Sequence, residues 1–306
     1  MSDLITDVLA GGVRGGTAIM LAALGETLAE RAGVVNLGTE GCLLVGALTG
    51  YAVAAESGNP WLGLAAGALA GAGLALVHAV LVVWRGADQF ATGLTLMFLA
   101  LGLTSLFGAA YVGVAAPGFA PVTLPVLGDL PVVGQVFFQH DPVTYASYLV
   151  APLLWWFLRR TRGGLLVRTA GERAEVLHVH GYRAGLIRGL AVTAGGALAG
   201  IGGAQLATAY AHAWFEGMTA GRGFIAVALV IFAAWRPLWV AGGAYLFGSL
   251  LAVAPALQAR GAELNQFALD ALPFTITLII LAVIGRRTLR AAPAELRRAF
   301  ESSPSS

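Results

Sequence analysis

The sequence predicts an all-α, polytopic transmembrane helical bundle of about nine spans (eight to ten), N-terminus out and C-terminus in. Three observations predict it. Charged residues make up 11% of the 306, well under half the roughly 25% usual in soluble domains, and mean hydropathy is +0.79. Apolar stretches long enough to cross a bilayer fill most of the chain. With residues 159–188 placed in the cytoplasm and sides alternated from there, the inside collects 15 of the 18 basic residues, leaving only Arg14, Arg222 and Arg260 elsewhere. The opposite orientation would break the positive-inside bias.

The expected spans in chain order are about 4–23, 38–55, 60–83, 89–113, 142–158, 186–209, 220–235, 239–258 and 270–285. The start, Met1 to Asp7, is acidic where a signal peptide would be basic, so the first span is expected to stay in place. Residues 114–141 carry too many Pro and Gly for a crossing helix and read as an outer loop, with a short interfacial element at Val136-Phe137-Phe138. A tight inner turn is expected at Trp235-Arg236-Pro237. The whole of 1–306 is read as a single transmembrane domain with a cytoplasmic loop at 159–188 and a cytoplasmic tail at 286–306, the last residues of which (301–306) are expected to be disordered. Glycines four apart, at Gly12/Gly16, Gly46/Gly50, Gly67/Gly71, Gly196/Gly200 and Gly217/Gly221, put small residues on one helix face and predict close helix packing.

Composition excludes several chemistries. Cys42 is the single cysteine, so no internal disulfide or cysteine-based metal site forms within the chain. All 18 basic residues are arginine, which rules out a lysine Schiff base and the lysine-bearing phosphate-binding loop G-x-x-x-x-G-K-[ST]. If ATP drives this protein, another chain binds it. Ser105 and Ser249 lie in apolar spans without a suggestively placed histidine, so no nucleophile-with-base arrangement is visible.

Three segments stand out. In 25–41, charged and amide side chains fall between two apolar spans, partly at membrane depth, where ionisable groups default to function. Glu26, Glu30 and Arg31 fit a solvated helix end with a local Glu–Arg pair as well as a functional role. Asn36 and Glu40 share a helix face and are read as residues of a pathway or a helix–helix hinge. In the loop, where Arg159, Arg160, Arg162, Arg168, Arg173, Arg183 and Arg188 face only Glu172 and Glu175, residues 168–181 read as a short amphipathic helix ended by Gly181. Ala174 and Leu177, with Val176 as a further candidate, form its apolar side, and it is read as a docking helix rather than one lying on anionic lipid. His178 and His180, two apart, would point to different sides of a helix and are not read as metal ligands. The third segment, Gly217 to Ala226, sets Gly217, Gly221 and Gly223 around Arg222, which suggests irregular backbone at or within the membrane. Arg222 could meet an anionic or polar partner or snorkel to outer headgroups. Gln205 is read as a pathway residue or an interhelical hydrogen bond.

Together these segments resemble the membrane permeases of bacterial ABC importers for simple sugars and nucleosides, a group that includes ribose-type and branched-chain amino-acid permeases. The resemblance rests on Gly25-Glu26, Glu30-Arg31, Asn36-Leu37-Gly38 and Glu40-Gly41; on Arg168, Gly171-Glu172, Ala174 and Gly181; and on Gly217-Met218-Thr219, Gly221 and Gly223 to Ala226. Trp235, Pro237-Leu238, Gly248 and Leu272-Pro273 with Thr277-Leu278 extend it over about 20–287, and the first pattern looks most like the nucleoside-type members. Arg173 stands where proline is expected, and Arg236 where asparagine is frequent.

The resemblance implies a non-catalytic permease of the bacterial plasma (inner) membrane that moves a small polar solute, a nucleoside first and a simple sugar next. It implies no cofactor in this chain, with ATP and Mg²⁺ held by a partner. Its partners would be a cytoplasmic ATPase subunit, a second permease in a heterodimer, an extracytoplasmic substrate-binding lipoprotein and membrane lipid, without nucleic acid. Arg168, Gly171, Glu172, Arg173, Ala174, Glu175 and Gly181 would couple to the ATPase. Asn36, Glu40, Gln205 and Arg222 would be the candidate translocation pathway, and Gly38, Gly41, Gly221 and Gly223 structural glycines. The rival expectations are an ATP-independent secondary transporter, which usually needs a mid-membrane coupling-ion site, and a non-transporting membrane scaffold.

Overall fold

The structure, a computed structural model, describes residues 2–261, 275, 276, 278, 279 and 291–301. Its helices are α1 Ser2–Arg31, α2 Thr39–Ser57, α3 Pro60–Ala79, α4 Gln89–Gly108, α5 Val133–Phe137, α6 Pro142–Arg160, α7 Arg162–Glu172, α8 Ala174–Val179, α9 Ala184–Gln205, α10 Arg222–Phe232, α11 Pro237–Gln258 and α12 Ala294–Glu301. Two of them end in a π-helical turn, α3 at Val80–Trp84 and α9 at Leu206–Tyr210. The strand pair β1 (Val122–Thr123) and β2 (Gln139–His140) is antiparallel, with Val122 opposite His140.

Local chemistry sets the helix starts. The side chains of Asn59, Asp88 and Asp141 accept amide hydrogens at the first turns of α3, α4 and α6, each such cap being worth about 1 kcal/mol. Pro60, Pro142 and Pro237 sit at first helical positions, where proline lacks only a hydrogen that would have no partner in the helix. The first eight expected spans each coincide with a helix, and the ninth, 270–285 with Leu272-Pro273 and Thr277-Leu278, lies almost wholly outside the described residues. Among the described residues five helices are long and apolar enough to cross a membrane: Leu4–Arg31, Pro60–Trp84, Gln89–Tyr111, Ala184–Tyr210 and Pro237–Gln258.

The long α1 forms the middle of the bundle. Of its most apolar window 72% is buried, against 28% in both α3 and α4, which therefore lie at the periphery. α1 packs on α9, α10 and α11, and α9 in turn on α2 and α3. Glycine makes these crossings close, as its spacing predicts. A Cβ on Gly46 would lie 2.5 Å from the Gly200 Cα, one on Gly71 2.3 Å from the Gly196 carbonyl oxygen, and one on Gly16 2.7 Å from the Ala244 oxygen. Backbones that near one another gain the dispersion contacts that hold helices together where lipid gives no hydrophobic drive. Gly217 and Gly221 differ from this pattern: they lie in turns, both with positive φ (68° and 78°), rather than at a helix crossing.

Large side chains on the outer faces, among them Leu69 (74% exposed), Leu106 (70%) and Phe98 (65%), are what a lipid-facing surface requires. Within the loop 114–141, the expected interfacial element is α5; its Val136 is buried and its Phe137 exposed. At the opposite end of the chain, α12 is docked, with Leu296 fully buried. The expected disorder at 301–306 falls on residues that, apart from Glu301 at the end of α12, lie outside the described set.

Candidate functional site

The centre of the candidate site is a helix that starts inside the bundle. α10 has 11 residues, a length of about 16 Å at 1.5 Å per residue, roughly half the ~30 Å hydrocarbon core. Its N-terminal amides need partners there, because the membrane interior supplies no water. Glu40, in the first turn of α2, provides them. Its Oε1 accepts from the Thr219 hydroxyl (2.7 Å) and the Gly221 amide (2.9 Å), and its Oε2 accepts from the Gly223 amide (2.5 Å). A carboxylate at this position also meets the positive end of the helix dipole. Gly221, with φ 78°, turns the chain into α10 through a left-handed conformation that a side chain resists.

Below this joint the chain folds back on α1. The Asn36 amide donates to Glu26 Oε1 (2.7 Å), the Thr39 hydroxyl to Glu26 Oε2 (2.8 Å), and Asn36 Oδ1 accepts from the Gly38 amide (2.9 Å). Gly38 and Gly41 are packed sites, where an added Cβ would lie 2.9 Å from Asn36 Oδ1 and 3.0 Å from the Ala100 Cβ. Asn36 and Glu40 are both buried; as the chain stands they join elements and do not line an open channel.

The reading of Glu26, Glu30 and Arg31 as a solvated end with a local ion pair is overturned. Glu26 and Glu30 are 2% and 1% exposed. Glu30 Oε2 accepts from the Trp235 indole, and Arg31 donates from Nε and Nη2 to the Trp235 carbonyl (3.2 and 2.9 Å). Both α1 side chains thus hold the α10–α11 corner, where Ala234 and Trp235 have positive φ (50° and 54°). A bulky residue adopts that backbone only when its surroundings over-determine it. The expected turn is there, but its anchor to α1 is long-range and carries no sequence signal.

A cavity of about 400 Å³ lies beyond the start of α10. Arg222 lines it with Tyr210, Phe215, Met218 and Gln258. Arg222 is half-buried, and its Nη1 donates to the Met218 and Thr219 carbonyls (3.0 and 3.1 Å) while Nε has no partner among the described residues. It folds back onto its own loop rather than reaching for headgroups. Gln205, fully buried, donates to the Arg14 carbonyl (3.3 Å), so it makes the interhelical bond considered from the sequence; its Oε1 is unpartnered among the described residues.

The arginine-rich loop departs from expectation in one respect. The single helix expected over 168–181 is broken at Arg173 into α7 and α8, where Arg173 has φ −152° and its amide donates to the Thr169 carbonyl (2.8 Å). Proline could supply neither that angle nor that hydrogen. Gly181 (φ 78°) ends the segment as expected. Leu177 is buried with Ala170 and Ala184, whereas Val176, Val179, His178 and His180 face outward. The two histidines bond the carbonyls four residues back.

Gly171 is enclosed: a Cβ there would lie 2.4 Å from the Arg31 carbonyl oxygen. Glu172 accepts from the Ala294 amide (3.3 Å), and Arg188 donates to the Ala170 carbonyl (2.7 Å) and pairs with Glu295 (3.5 Å). The loop is therefore clasped to α1 and α12. Arg168 packs beside the α10–α11 corner, and Glu175 lies exposed in the first turn of α8.

A bundle of apolar helices with an interrupted helix capped in its interior and a docked helical loop at its arginine-rich end has the construction of a membrane permease. Residues 8–285 match the family described as branched-chain amino acid transport system / permease component. The chain belongs to that family: it is an integral membrane permease subunit of an ABC transporter, and the ATPase is a separate chain.

TsgC13 of Haloferax volcanii, named as a candidate glucose ABC transporter permease, is 45% identical over 262 residues, covering 84% of this chain and 78% of that protein. The guanosine ABC transporter permease NupQ of Bacillus subtilis is 33% identical over 88% of this chain and 89% of its own. The nucleoside ABC transporter permease NupC of Lactococcus lactis is 32% identical over 87% of this chain and 88% of its own. No solved structure matches the chain.

Proposed function

We propose that this chain imports a neutral solute built on a sugar ring, either a nucleoside or a simple sugar, as one of two permeases in an ABC importer. The relatives are named for glucose, guanosine and nucleosides, solutes that each contain a sugar ring, and the cavity beside Arg222 offers the polar groups of Tyr210, Arg222 and Gln258 to its hydroxyls. The sequence pattern of 25–41 favours the nucleoside; the 45% identity to TsgC13 favours the sugar.

In this reading residues 1–306 form a single nine-span domain, N-terminus out and C-terminus in, with the 159–188 loop and the 286–306 tail in the cytoplasm. α8 and the Arg168–Gly181 stretch seat in the ATPase, which holds ATP and Mg²⁺. A second permease completes a heterodimer, and a substrate-binding lipoprotein delivers the solute. Motion of the loop passes through its clasp on α1 to the Glu40 joint, which sets the position of the Arg222 cavity.

The observation that carries the reading is that joint: one carboxylate holds three donors of the irregular segment Thr219–Gly223, so a shift of α2 against α10 must remake the backbone beside the cavity. The test is uptake of radiolabelled guanosine and glucose by cells expressing the complete transporter, with and without an intact ATPase. Uptake lost with the ATPase and with this chain supports the proposal. Uptake that survives ATPase loss, or uptake of neither solute that depends on this chain, overturns the proposal.

A further inference from the structure

Two depressions at the arginine-rich end share a wall. One, of about 280 Å³, is lined by Arg31, Arg159, Arg168 and Arg236 together with Trp155 and Trp235. The other, of about 480 Å³, is an apolar trough between α10 and α11 lined by Phe232, Gly242, Leu246 and Phe247. Arg236 and Trp239 belong to both.

The charge in the first depression is unbalanced. Four arginines and no described carboxylate line it; the acids that act on Arg31 from outside the lining are Glu172 and Glu30, the latter engaged by the Trp235 indole. Glu172 is already engaged by the Ala294 amide, and Arg31 by the Trp235 carbonyl. Arg159 lies over the Trp155 ring, 5.5 Å from its centroid. Arg168 Nε is buried with no hydrogen-bond partner among the described residues. Guanidinium groups gathered this way match a phosphate, whose oxygens accept their forked donors.

The second depression selects among phosphates. It leads from the arginines along the outer face of the bundle, with Trp239 68% and Leu246 57% exposed at its edge, and a Cβ on Gly242 would meet nothing within 4 Å, so its floor is open. Basic pockets between helices that open onto an apolar surface fit lipid headgroups, with tryptophan at the polar–apolar boundary. Of the stretch Arg168–Gly181 only Arg168, at its start, lines a depression, and no residue of α8 lines either, so the site lies beside the docking face of α8 and not on it. We propose that this pair of depressions binds one anionic phospholipid, its phosphate among Arg159, Arg168 and Arg236 and one acyl chain in the α10–α11 trough.

The full chain, purified in detergent and stripped of lipid, is supplied with dioleoyl phosphatidylglycerol, dioleoyl phosphatidylcholine or inorganic phosphate. Bound lipid is counted by native mass spectrometry and the thermal midpoint recorded. One phosphatidylglycerol per chain should be retained with a raised midpoint, while phosphatidylcholine and inorganic phosphate do neither. Arg168→Gln with Arg236→Gln should weaken phosphatidylglycerol retention roughly 30-fold, and Arg160→Gln, an exposed arginine outside both depressions, should leave it unchanged. Gly242→Leu should fill the trough and weaken retention without altering charge. Equal retention of the two lipids, or a shift reproduced by inorganic phosphate alone, overturns the proposal. If the double variant does not fold, Gly242→Leu decides, and undiminished retention there overturns it.

Discussion

The Gly223 amide donates to Glu40 Oε2 at 2.5 Å, and a Cβ on Gly223 would lie 2.4 Å from the Cα of Glu40. The same approach that makes the hydrogen bond leaves no room for a side chain, so α2 and α10 are locked by shape and by polarity at once. Glu40→Ala leaves three donors of Thr219–Gly223 without their acceptor in a place water does not reach, at roughly 1–3 kcal/mol for each unsatisfied group. Glu40→Gln keeps one acceptor oxygen and should cost less. The expected order of thermal midpoints in detergent is wild type, then E40Q, then E40A, with uptake falling in the same order. Equal midpoints for E40Q and E40A would show that the carboxylate does not hold α10.

Two glycines of one segment should respond differently to the same methyl group. Gly223→Ala drives a Cβ into backbone that cannot move without separating α2 from α10, an overpacking cost of about 1–3 kcal/mol. Gly217→Ala meets nothing within 4 Å but must hold φ 68°, a strain of about 1–2 kcal/mol with no disturbance of the joint. G223A should therefore abolish uptake in protein that still reaches the membrane, whereas G217A should lower the midpoint modestly and keep transport.

What was legible in the sequence follows from what leaves a local pattern. Apolar runs marked the helices, and four-residue glycine spacing marked the crossings of α1, α2, α3 and α9, because both signals are contained in a few turns of one helix. Glu40 was singled out as an ionisable group at membrane depth, and Gly221 and Gly223 as irregular backbone. That the carboxylate answers those very amides joins positions some 180 apart, and no spacing rule reaches that far. The break at Arg173 was hidden for a different reason: Thr169 to Gly181 has a helical apolar period on both sides of it, and the period cannot report a single extended φ. The docking of α12 through the buried Leu296 is likewise a contact between distant segments that no local pattern reports.

That leucine gives a prediction of its own. Truncating a fully buried leucine costs about 2–5 kcal/mol when the cavity cannot collapse, and Leu296 lies where α12 meets α7. Leu296→Ala should release α12, freeing Arg188 and Glu172 of the loop from their contacts with Glu295 and the Ala294 amide. Limited trypsin proteolysis should then cut at Arg297 within α12 in the variant and not in the wild type.

His140 provides a pH test at the loop end. It is fully buried, its Nε2 donates to the Val136 carbonyl (2.7 Å), and burial, outweighing that bond, holds its basicity below the usual histidine range. An unfolded chain takes up a proton near the ordinary value of about 6.5, whereas the folded chain does not until lower pH. The unfolded state therefore binds more protons in that window, and stability falls as pH drops through it. The thermal midpoint should decline between pH 7.5 and 5.5 in the wild type, and His140→Gln should flatten that decline. An unchanged slope in the variant would assign the effect to other groups.

Replacement of Gly171, the obvious way to test coupling to the ATPase, confounds two effects, because a Cβ at 171 would strike the Arg31 carbonyl and displace α7 from α1. The outward face of α8 is the cleaner place. Val179 is 85% exposed and Val176 41%, while Leu177 beneath them is buried. An exposed apolar pair on a short helix at the arginine-rich end is surface that a partner would cover, and burying an aspartate there without a counter-charge is costly. Val179→Asp should leave the isolated chain's stability within the roughly ±0.5 kcal/mol expected of a surface change, yet lower ATPase recovery on purification and reduce uptake at least about tenfold. Leu177→Asp should instead destabilise the loop itself and abolish both. If V179D keeps the ATPase bound and transports normally, α8 does not dock through this face, and the contact must be sought on the exposed arginines of α6 and α7.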